Sequence, residues 1–340
     1  MDTLAGLLDG PRARGAFLIR SLMTPPWSMR IEDEAPLTLC AVVQGKACVL
    51  PEAGGLVRVE SGDVVIFRGP DHYTVADEPD TAPQVHILPG QECRTPDGAP
   101  IRMSELLSPP GVLGVRTWGT QASGGTQASG GTQASGGTQG IGSTQATGGT
   151  ELLTGTYEVQ SEVSSRLLAT LPPVLVIRRD SWDNPLVGFL AEEIVKDAPG
   201  QTAVLDRLLD LLLIGALRTW FARQDSKAPG WYRAHSDPVV GPAVRMLQAE
   251  PARPWTVALL ARETGVSRAA LARRFTELVG EPPMAFLTGW RLALAADLLR
   301  EPDATLAAVA RKVGYGSPFA LSSAFKRVRG ISPQEFRSVG

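Results

Sequence analysis

The chain has little cysteine and no long apolar segment. Three of its 340 residues are cysteines, Cys40, Cys48 and Cys93. They are too few and too irregularly spaced for a disulfide framework or a zinc site. The apolar runs are far shorter than the roughly 20 residues that cross a bilayer, and the first residues lack the basic and apolar regions of a secretory signal. The sequence therefore predicts a protein of the cytoplasm that has no membrane partner.

The chain also has little net charge, because two regions of opposite charge cancel. Lys and Arg number 33 and Asp and Glu number 35, a formal net charge of −2. Residues 241–340 hold 14 basic and 8 acidic residues, a net +6, and the other 240 residues hold 19 and 27, a net −8. Clustered basic residues neutralise phosphates, so the basic end favours a nucleic acid partner.

Residues 119–149 consist of a six-residue tandem repeat, GTQASG and its variants, in which Ile141 is the only large apolar side chain. A segment of this composition cannot bury a core. We predict a disordered insertion without a selected role, because surface loops accept extra residues at a small entropic cost. DNA binding is expected to survive its deletion.

Residues 14–118 carry short apolar runs separated by turn residues, among them LTLCAVV, KACVL, SGDVVIF and QVHILPG. This spacing predicts antiparallel strands in a sandwich or barrel. A two-residue hairpin turn at Gln44 and Gly45 would place position 40 opposite 49 and position 41 opposite 48. Cys40 and Cys48 would then point to opposite faces of the sheet and would be poor partners for each other.

After the repeat the apolar pattern changes to a helical period. Residues 186–197 and 201–223 have apolar side chains at helical spacing, which predicts two amphipathic helices. The second is apolar nearly all round, so it is either a core helix or a helix that packs against a second copy of the chain. Residues 227–237, which contain Pro229 and Gly230, are predicted to be a linker.

Two stretches of the basic region, residues 255–275 and 305–327, share one pattern. In both, an alanine is followed by a glycine, then by a serine, and eight residues after the serine by a phenylalanine. A small residue and a glycine turn suit two closely packed helices, a serine caps the second helix, and a phenylalanine anchors it. The pattern predicts two helix-turn-helix units. Its positions are Ala261, Gly265, Ser267 and Phe275 in the first, and Ala310, Gly314, Ser317 and Phe325 in the second.

This duplicated pattern resembles the DNA-binding module of the AraC/XylS family of transcription regulators, in which two helix-turn-helix units are joined by a long helix. The resemblance covers residues 238–339, including GEPPMAFLTGWRLALAADLL and GYGSPFALSSAFKRVRGISPQEFR. The front of the chain resembles the cupin-type sensor domain of one subgroup, through SGDVVIFRGPDH, LLTGTY and LPPVLVIRRD. That subgroup often has a cysteine where this chain has Thr154.

The resemblance implies a multidomain α+β chain, with an N-terminal cupin-like β-barrel and its helical extension before a C-terminal all-α double helix-turn-helix. The predicted boundaries are 1–118 for the effector-sensing β domain, 119–149 for the insertion, 150–226 for completion of the sensor domain and a helical dimerisation region, 227–237 for the linker and 238–340 for the DNA-binding domain.

The resemblance also implies which side chains of the first recognition helix meet double-stranded DNA. Arginine can bond both acceptors of a guanine edge, and alanine can touch a thymine methyl group. We expect Arg273 to read a base and Arg268 and Arg274 to contact phosphates. The residues implied for this helix are Ser267, Arg268, Ala269, Ala272, Arg273 and Arg274.

The second recognition helix has a different composition. It lacks arginine at the position of Ser323, where the family commonly has one. We expect its polar residues to contact mainly the DNA backbone, and Phe319 either to pack inward or to touch thymine methyl groups. The residues implied here are Ser317, Phe319, Ser322, Ser323, Lys326 and Arg327.

The front domain has few of the residues that metal-dependent cupins use. It contains His72 and His86 but no His-x-His pair, so we expect no metal, no cofactor and no catalysis. A barrel mouth is a concave, mostly apolar place for a small molecule. The residues predicted to line such an effector pocket are Cys40, Val42, Ile66, His72 and His86.

The leading interpretation is a sequence-specific transcription regulator controlled by a small-molecule effector. The resemblance favours activation, and it implies RNA polymerase and a second copy of the chain as partners. Two alternatives stay open. One is a cupin enzyme fused to a DNA-binding module. The other is an oxidant-responsive regulator that uses a cysteine, for which Cys93 beside Arg94 is the candidate.

Overall fold

The computed structural model describes residues 17–101, 116–119, 149–157, 162, 168–182, 185–223, 228 and 230–339. These residues divide into two compact units. We call them the β unit, formed by the described residues within 15–158 and 173–219, and the helical unit, formed by those within 159–172 and 220–340. The predicted insertion lies outside the described residues, apart from Gly119 and Gly149.

The β unit is built from strands followed by two helices. Its strands are β1 (Phe17–Met23), β2 (Ser28–Ile31), β3 (Leu37–Gln44), β4 (Lys46–Pro51), β5 (Val57–Glu60), β6 (Val64–Arg68), β7 (Tyr73–Ala76), β8 (Val85–Leu88), β9 (Glu92–Arg94), β10 (Pro100–Ile101), β11 (Thr117–Gly119), β12 (Thr150–Tyr157) and β13 (Val174–Ile177). Its helices are α1 (Leu186–Ile194) and α2 (Gln201–Phe221).

The strands form two sheets that share one core. One sheet has the order β11-β1-β12-β3-β6-β13, and the other has the order β10-β9-β8-β2-β7-β4-β5. Side chains from both sheets meet in one apolar cluster, for example Ile19 and Val65 from the first and Met29 and Val49 from the second. The strand spacing in the sequence therefore correctly indicated a sandwich or barrel.

The predicted hairpin at Gln44 and Gly45 is wrong. β3 pairs with β12 and β6, whereas β4 pairs with β5 and β7, so the two strands lie in different sheets. Gly45 has a φ of 81° and acts as the corner between the sheets. Cys40 and Cys48 consequently belong to different sheets, and both are free thiols.

The SGD sequence at 61–63 forms a turn that also holds the end of β13. Gly62 has a φ of 93°, which suits a glycine. The buried Asp63 carboxylate accepts hydrogen bonds from Arg178 Nη1 at 2.8 Å and from the backbone N–H of Arg179 at 2.9 Å. A buried carboxylate requires such partners, so this turn joins residues that are more than 110 positions apart.

Helix α2 packs on the face of the first sheet. A Cβ at Gly155 of β12 would lie 2.6 Å from the side chain of Leu209, so the glycine permits a close helix–sheet contact. Leu205, Leu209 and Leu212 are buried on this side of the helix. The opposite side of α2 exposes Val204 and Leu211.

The two ends of the predicted insertion lie beside the same end of β1. β11 runs parallel to β1, with Gly119 opposite Leu22. β12 runs antiparallel to β1, with Thr150 opposite Met23. The chain therefore leaves β11 and enters β12 on the two sides of one strand.

In its described residues the helical unit contains eight further helices, one of which is central. They are α3 (Gly230–Arg233), α4 (Val240–Ala249), α5 (Val257–Glu263), α6 (Arg268–Val279), α7 (Pro283–Leu299), α8 (Leu306–Val313), α9 (Pro318–Arg329) and α10 (Pro333–Val339). The central helix, α7, contacts α4, α6, α8 and α10. No helix of the described ranges is long and apolar enough to cross a membrane.

The predicted linker 227–237 is helical over residues 230–236. Trp231 and Ala234 in this stretch are buried. A Cβ at Gly230 would lie 2.5 Å from the carbonyl oxygens of Leu278 and Val279, so this backbone packs closely against the end of α6. The stretch is thus part of the helical unit.

Candidate nucleic-acid interface and effector cavity

Helices α5 and α6 form the first predicted helix-turn-helix. Gly265, between them, has a φ of 70°, which allows the turn. The Ser267 hydroxyl accepts a hydrogen bond from the Ala270 N–H at 3.2 Å and caps α6. Phe275 is fully buried and meets Phe286 edge-on, with the ring centroids 5.8 Å apart.

Helices α8 and α9 repeat this arrangement. Gly314 has a φ of 84°, and the Ser317 hydroxyl accepts a hydrogen bond from the Ala320 N–H at 3.1 Å. Phe325 is fully buried and meets Phe336 edge-on at 5.4 Å. The cap, turn and anchor predicted from the sequence pattern are therefore present in both units, and α6 and α9 are the candidate recognition helices.

The outer face of α6 is basic and small. Arg268, Ala269 and Arg273 are exposed, and Ala272 is half-buried. The Arg273 side chain is 73% exposed, and its Nη1 lies 3.0 Å from Glu277 Oε1, one helical turn later. Exposed ion pairs of this kind contribute little to stability, so Arg273 can leave Glu277 for another acceptor at small cost.

Arg274 forms an ion pair that the sequence pattern did not predict. Its Nε and Nη2 lie 2.9 Å and 2.6 Å from Asp237 Oδ2. The other oxygen of Asp237 accepts hydrogen bonds from the N–H groups of Val239 and Val240 at the start of α4. Burial alone would raise the pKa of Asp237, but these hydrogen bonds hold it below its ordinary value. Arg274 thus joins α6 to α4 rather than presenting a free guanidinium.

The outer face of α9 combines one aromatic ring with polar and basic side chains. Phe319 is 79% exposed, so of the two placements predicted for it the inward one is wrong. Ser323, Lys326 and Arg327 are exposed, and Ser322 is half-buried. Phe319 therefore stands on the outer face of α9 among polar and basic side chains.

Helix α9 has its own acidic anchor, which the sequence did not reveal. Glu162 Oε2 lies 2.8 Å from Arg329 Nη1, and Glu162 Oε1 lies 3.3 Å from Arg300 Nη2. The N–H of Glu162 also donates to Asp297 Oδ1 at 2.6 Å. Glu162 precedes its partners by more than 130 residues, and no local pattern around it indicates the contact.

A cavity of about 60 Å³ lies inside the β unit, between its two sheets. Its walls are mostly apolar, with a row of hydroxyl groups from β1, β3 and β12. Among the predicted pocket residues, Cys40 lines it. Its described lining is Ile19, Ser21, Met29, Ile31, Asp33, Thr38, Cys40, Phe67, Tyr73, Val75, Ile87, Gln91, Cys93, Trp118, Leu152, Thr154 and Thr156.

The other four predicted pocket residues lie elsewhere. Val42 is buried in the core beside the cavity but does not line it, and Ile66 points to the opposite face of β6 from Phe67. His72 Nδ1 lies 3.7 Å from Glu52 Oε1 and His86 Nδ1 lies 3.4 Å from Glu32 Oε2, and these side chains are partly exposed. Among the described residues, no group of three or more His, Cys, Asp or Glu could hold a metal ion.

Thr154, Cys40 and Cys93 all line this cavity. The Thr154 hydroxyl donates to Cys40 Sγ at 3.7 Å. Burial raises the pKa of the Cys40 thiol to about 11, and burial also raises the pKa of Cys93. Both thiols are therefore protonated near neutral pH, which slows attack on an oxidant. The proximity of Thr154 to Cys40 follows from β3–β12 pairing across 114 residues, which no local pattern predicts.

Comparison with known proteins matches the two units to two families. A model of the cupin family matches residues 2–222, and a model of a helix-turn-helix domain matches residues 260–338. These matches agree with the two-sheet β unit and the capped helix pairs, and the predicted fold class is confirmed.

The chain is also similar to curated proteins that are named as transcription regulators. An AraC-like transcription regulator of Streptomyces lividans is 39% identical over 187 residues, which cover 54% of this chain and 62% of that protein. The HTH-type transcriptional regulator AlkR of Acinetobacter baylyi is 33% identical over 185 residues, 53% of this chain and 60% of that protein. The matched part of this chain thus spans about three fifths of the length of these relatives.

Among solved structures, the DNA-binding domain of AdpA in complex with a target DNA is 33% identical, with a TM-score of 0.29, and the match covers 31% of this chain and 93% of that one. The cupin model covers the described β unit, and the helix-turn-helix model extends from within α5 to α10. The chain therefore belongs to the AraC/XylS family of transcription regulators, with a cupin domain in front of its helix-turn-helix domain.

Proposed function

We propose that the chain is a sequence-specific DNA-binding transcription regulator controlled by a small molecule. The observation that carries the proposal is the pair of capped helices α6 and α9, each anchored by a buried phenylalanine and each with an exposed outer face. A helix of this kind fits the major groove of DNA. Two such helices in one unit would bind two major-groove segments that lie about 34 Å apart on one face of the DNA.

Helices α6 and α9 contact DNA in different ways. Arg273 on α6 reads a guanine edge, because it is exposed and its partner Glu277 is a solvent-exposed residue of the same helix. Arg268 contacts a phosphate. On α9, Ser323, Lys326 and Arg327 contact the DNA backbone, and Phe319 lies against thymine methyl groups. Arg274 positions α6 through Asp237 rather than binding a phosphate.

The cavity of the β unit holds the effector, and the β unit has no catalytic activity. The cavity combines apolar walls with a few hydroxyl groups, which is the usual chemistry of a small-molecule site. The two histidines of the β unit are engaged by Glu52 and Glu32 outside the cavity. The raised pKa values of Cys40 and Cys93 favour effector binding over the oxidant-sensing alternative.

The regulator acts as a homodimer in the cytoplasm and activates transcription by contacting RNA polymerase. The exposed side of α2 supports the dimer, since Val204 and Leu211 are about half exposed and Leu208 lies between them at helical spacing. A second copy of α2 would cover these side chains. Activation and the polymerase contact rest on the family alone.

The test is selection of bound sequences from a random double-stranded DNA library with the full-length protein. We expect one enriched motif. The Arg273→Ala variant should bind the selected site more weakly by about 1–3 kcal/mol and lose base preference at one position. Arg58→Ala, which removes an exposed arginine from β5, is the matched control and should select the wild-type motif. Binding that is only non-specific and salt-sensitive, with no enriched motif, would overturn the proposal.

A further inference from the structure

The cavity of the β unit carries charge of one sign. Among the described residues that line it, Asp33 is the one with a formal charge, and none is Lys, Arg or His. An anionic ligand would therefore meet a carboxylate and no compensating positive charge. A cationic ligand would meet a partner of opposite charge.

The Asp33 carboxylate is held in place and keeps acceptor capacity. Its Oδ1 accepts a hydrogen bond from the Ala35 N–H at 3.1 Å, and its Oδ2 accepts one from Gln91 Nε2 at 3.2 Å. A carboxylate has about four lone-pair positions, so each oxygen can accept a further donor. The two bonds fix the orientation of the group and leave room for a donor from a ligand.

Three aromatic side chains line the same cavity as Asp33. Phe67 and Tyr73 stack with their ring centroids 3.8 Å apart, and both line the cavity, as does Trp118. Aromatic faces attract cations and also pack against apolar groups. The lining therefore suits a molecule that has a positive group and an apolar body.

The size of the cavity limits that molecule. One water needs roughly 10–15 Å³ of such space, so the cavity of about 60 Å³ corresponds to about four to six waters. At roughly 30 Å³ of liquid volume per water this is roughly 120–180 Å³, comparable with the roughly 150 Å³ cavity that binds benzene. The space therefore suits a small molecule.

We propose that the ligand of this cavity is a small protonated amine with an apolar body, whose ammonium group is held by the Asp33 carboxylate. This inference rests on the proposed use of the cavity as the effector site. The hydroxyl groups of Thr38, Thr154 and Thr156 line the same space and accept any remaining ammonium donor.

The experiment is calorimetric titration of the full-length protein at neutral pH with three probes of similar size, benzylamine, benzyl alcohol and benzoate. Benzylamine should bind at least about tenfold more tightly than the other two, because only it gains a charge-assisted hydrogen bond. Asp33→Asn should remove that advantage while keeping the acceptor for Ala35. Glu34→Gln neutralises the neighbouring exposed carboxylate, which does not line the cavity, and should leave all three affinities unchanged.

Equal or tighter binding of benzyl alcohol or benzoate would overturn the inference, as would benzylamine binding that Asp33→Asn leaves unchanged, or no binding of any probe. DNA selection in parallel separates this inference from the proposed function. An enriched DNA motif without amine binding would overturn the inference that the ligand is an amine and leave the proposed DNA-binding function standing. Asp33-dependent amine binding without an enriched motif supports the amine and overturns the DNA-binding role.

Discussion

Helices α6 and α9 both begin at a serine whose hydroxyl accepts a backbone hydrogen bond, and both end at a glycine with positive φ, Gly280 at 93° and Gly330 at 78°. Each is also tied to an acidic residue outside its helix pair, α6 to Asp237 and α9 to Glu162. Their outer faces differ. The face of α6 carries exposed arginines, and that of α9 carries Phe319 among polar residues.

This difference separates the residues that form the helix pair from the exposed residues that would contact DNA. The caps, glycine turns and buried rings recur because two helices at a short turn need them. The exposed positions have no such constraint and are free to differ between the units. The repeated pattern therefore locates two recognition helices, but it carries no information about the DNA bases that either one reads.

Removal of the buried rings should have the largest effect, and an equal one in both units. Phe275→Ala and Phe325→Ala should each lower the free energy of unfolding by about 3–5 kcal/mol, because both rings are fully buried. Loss of helical circular dichroism in urea, followed for the full chain, measures it. The matched Phe→Leu variants should lose less. A cost below about 1 kcal/mol in one unit would break the equivalence of the two scaffolds.

Exposed side chains of α9 should matter for DNA binding and not for stability. Phe319→Ala should weaken binding by about 1 kcal/mol, mainly at sites with a thymine beneath it, because it loses one apolar contact. Lys326→Ala should weaken binding to all sequences alike and reduce the salt slope by about 1. Titrations of selected and scrambled DNA at several salt concentrations distinguish the sequence-dependent effect of Phe319→Ala from the sequence-independent effect of Lys326→Ala. Uniform weakening by Phe319→Ala would remove its role in base preference.

The acidic anchor of α6 should give the smallest effect, and one that depends on pH. The pKa of Asp237 is lowered in the folded chain, so its contribution to stability is complete above the unfolded value near 4 and is lost as pH falls through the folded value. Asp237→Asn keeps a helix cap and removes the charge. We expect it to cost roughly 0.5–1 kcal/mol at pH 7.

Urea unfolding of wild type and Asp237→Asn at pH 7 and pH 3 measures this contribution. The two stabilities should approach each other at the lower pH, because Asp237 is then protonated increasingly in the unfolded wild-type chain and its charge contributes less to stability. Glu281→Gln, in the turn after α6, is the comparison variant for loss of one acidic charge. A difference between wild type and Asp237→Asn that stays constant with pH would contradict an ionic role for the anchor.

The parts of the molecule that the sequence predicted are the local ones. The helix pairs were found because cap, turn and anchor fall within about one short helix of each other. Residue Asp237 could have been recognised, since an aspartate just before an apolar helical stretch is a typical N-cap. Its bond to Arg274, 37 residues away, could not.

The sequence predicted a pocket in the β domain but not most of the residues that line it. Cys40 was identified, but Thr154 and Trp118 reach the same space through strand pairings that join distant parts of the chain. Apolar alternation shows which residues are buried without showing which of the two faces of a sheet they occupy. For this reason Ile66 was wrongly predicted to line the cavity. The hairpin predicted at Gly45 was wrong for another reason, because a corner between two sheets uses the same residue types as a tight turn.

The placement of Gly119 and Thr150, at the two ends of the repeat, beside β1 has a genetic consequence. Gly119 and Thr150 flank the last residues of β1, Leu22 and Met23. Neighbouring strands lie about 4.8 Å apart, so these two ends are separated by about 10 Å whatever the number of repeats between them. The repeat unit is six residues, so units can be gained or lost in steps of six codons without shifting the reading frame. Proteins with different numbers of repeat units would all join the repeat to the same two strand ends, Gly119 and Thr150.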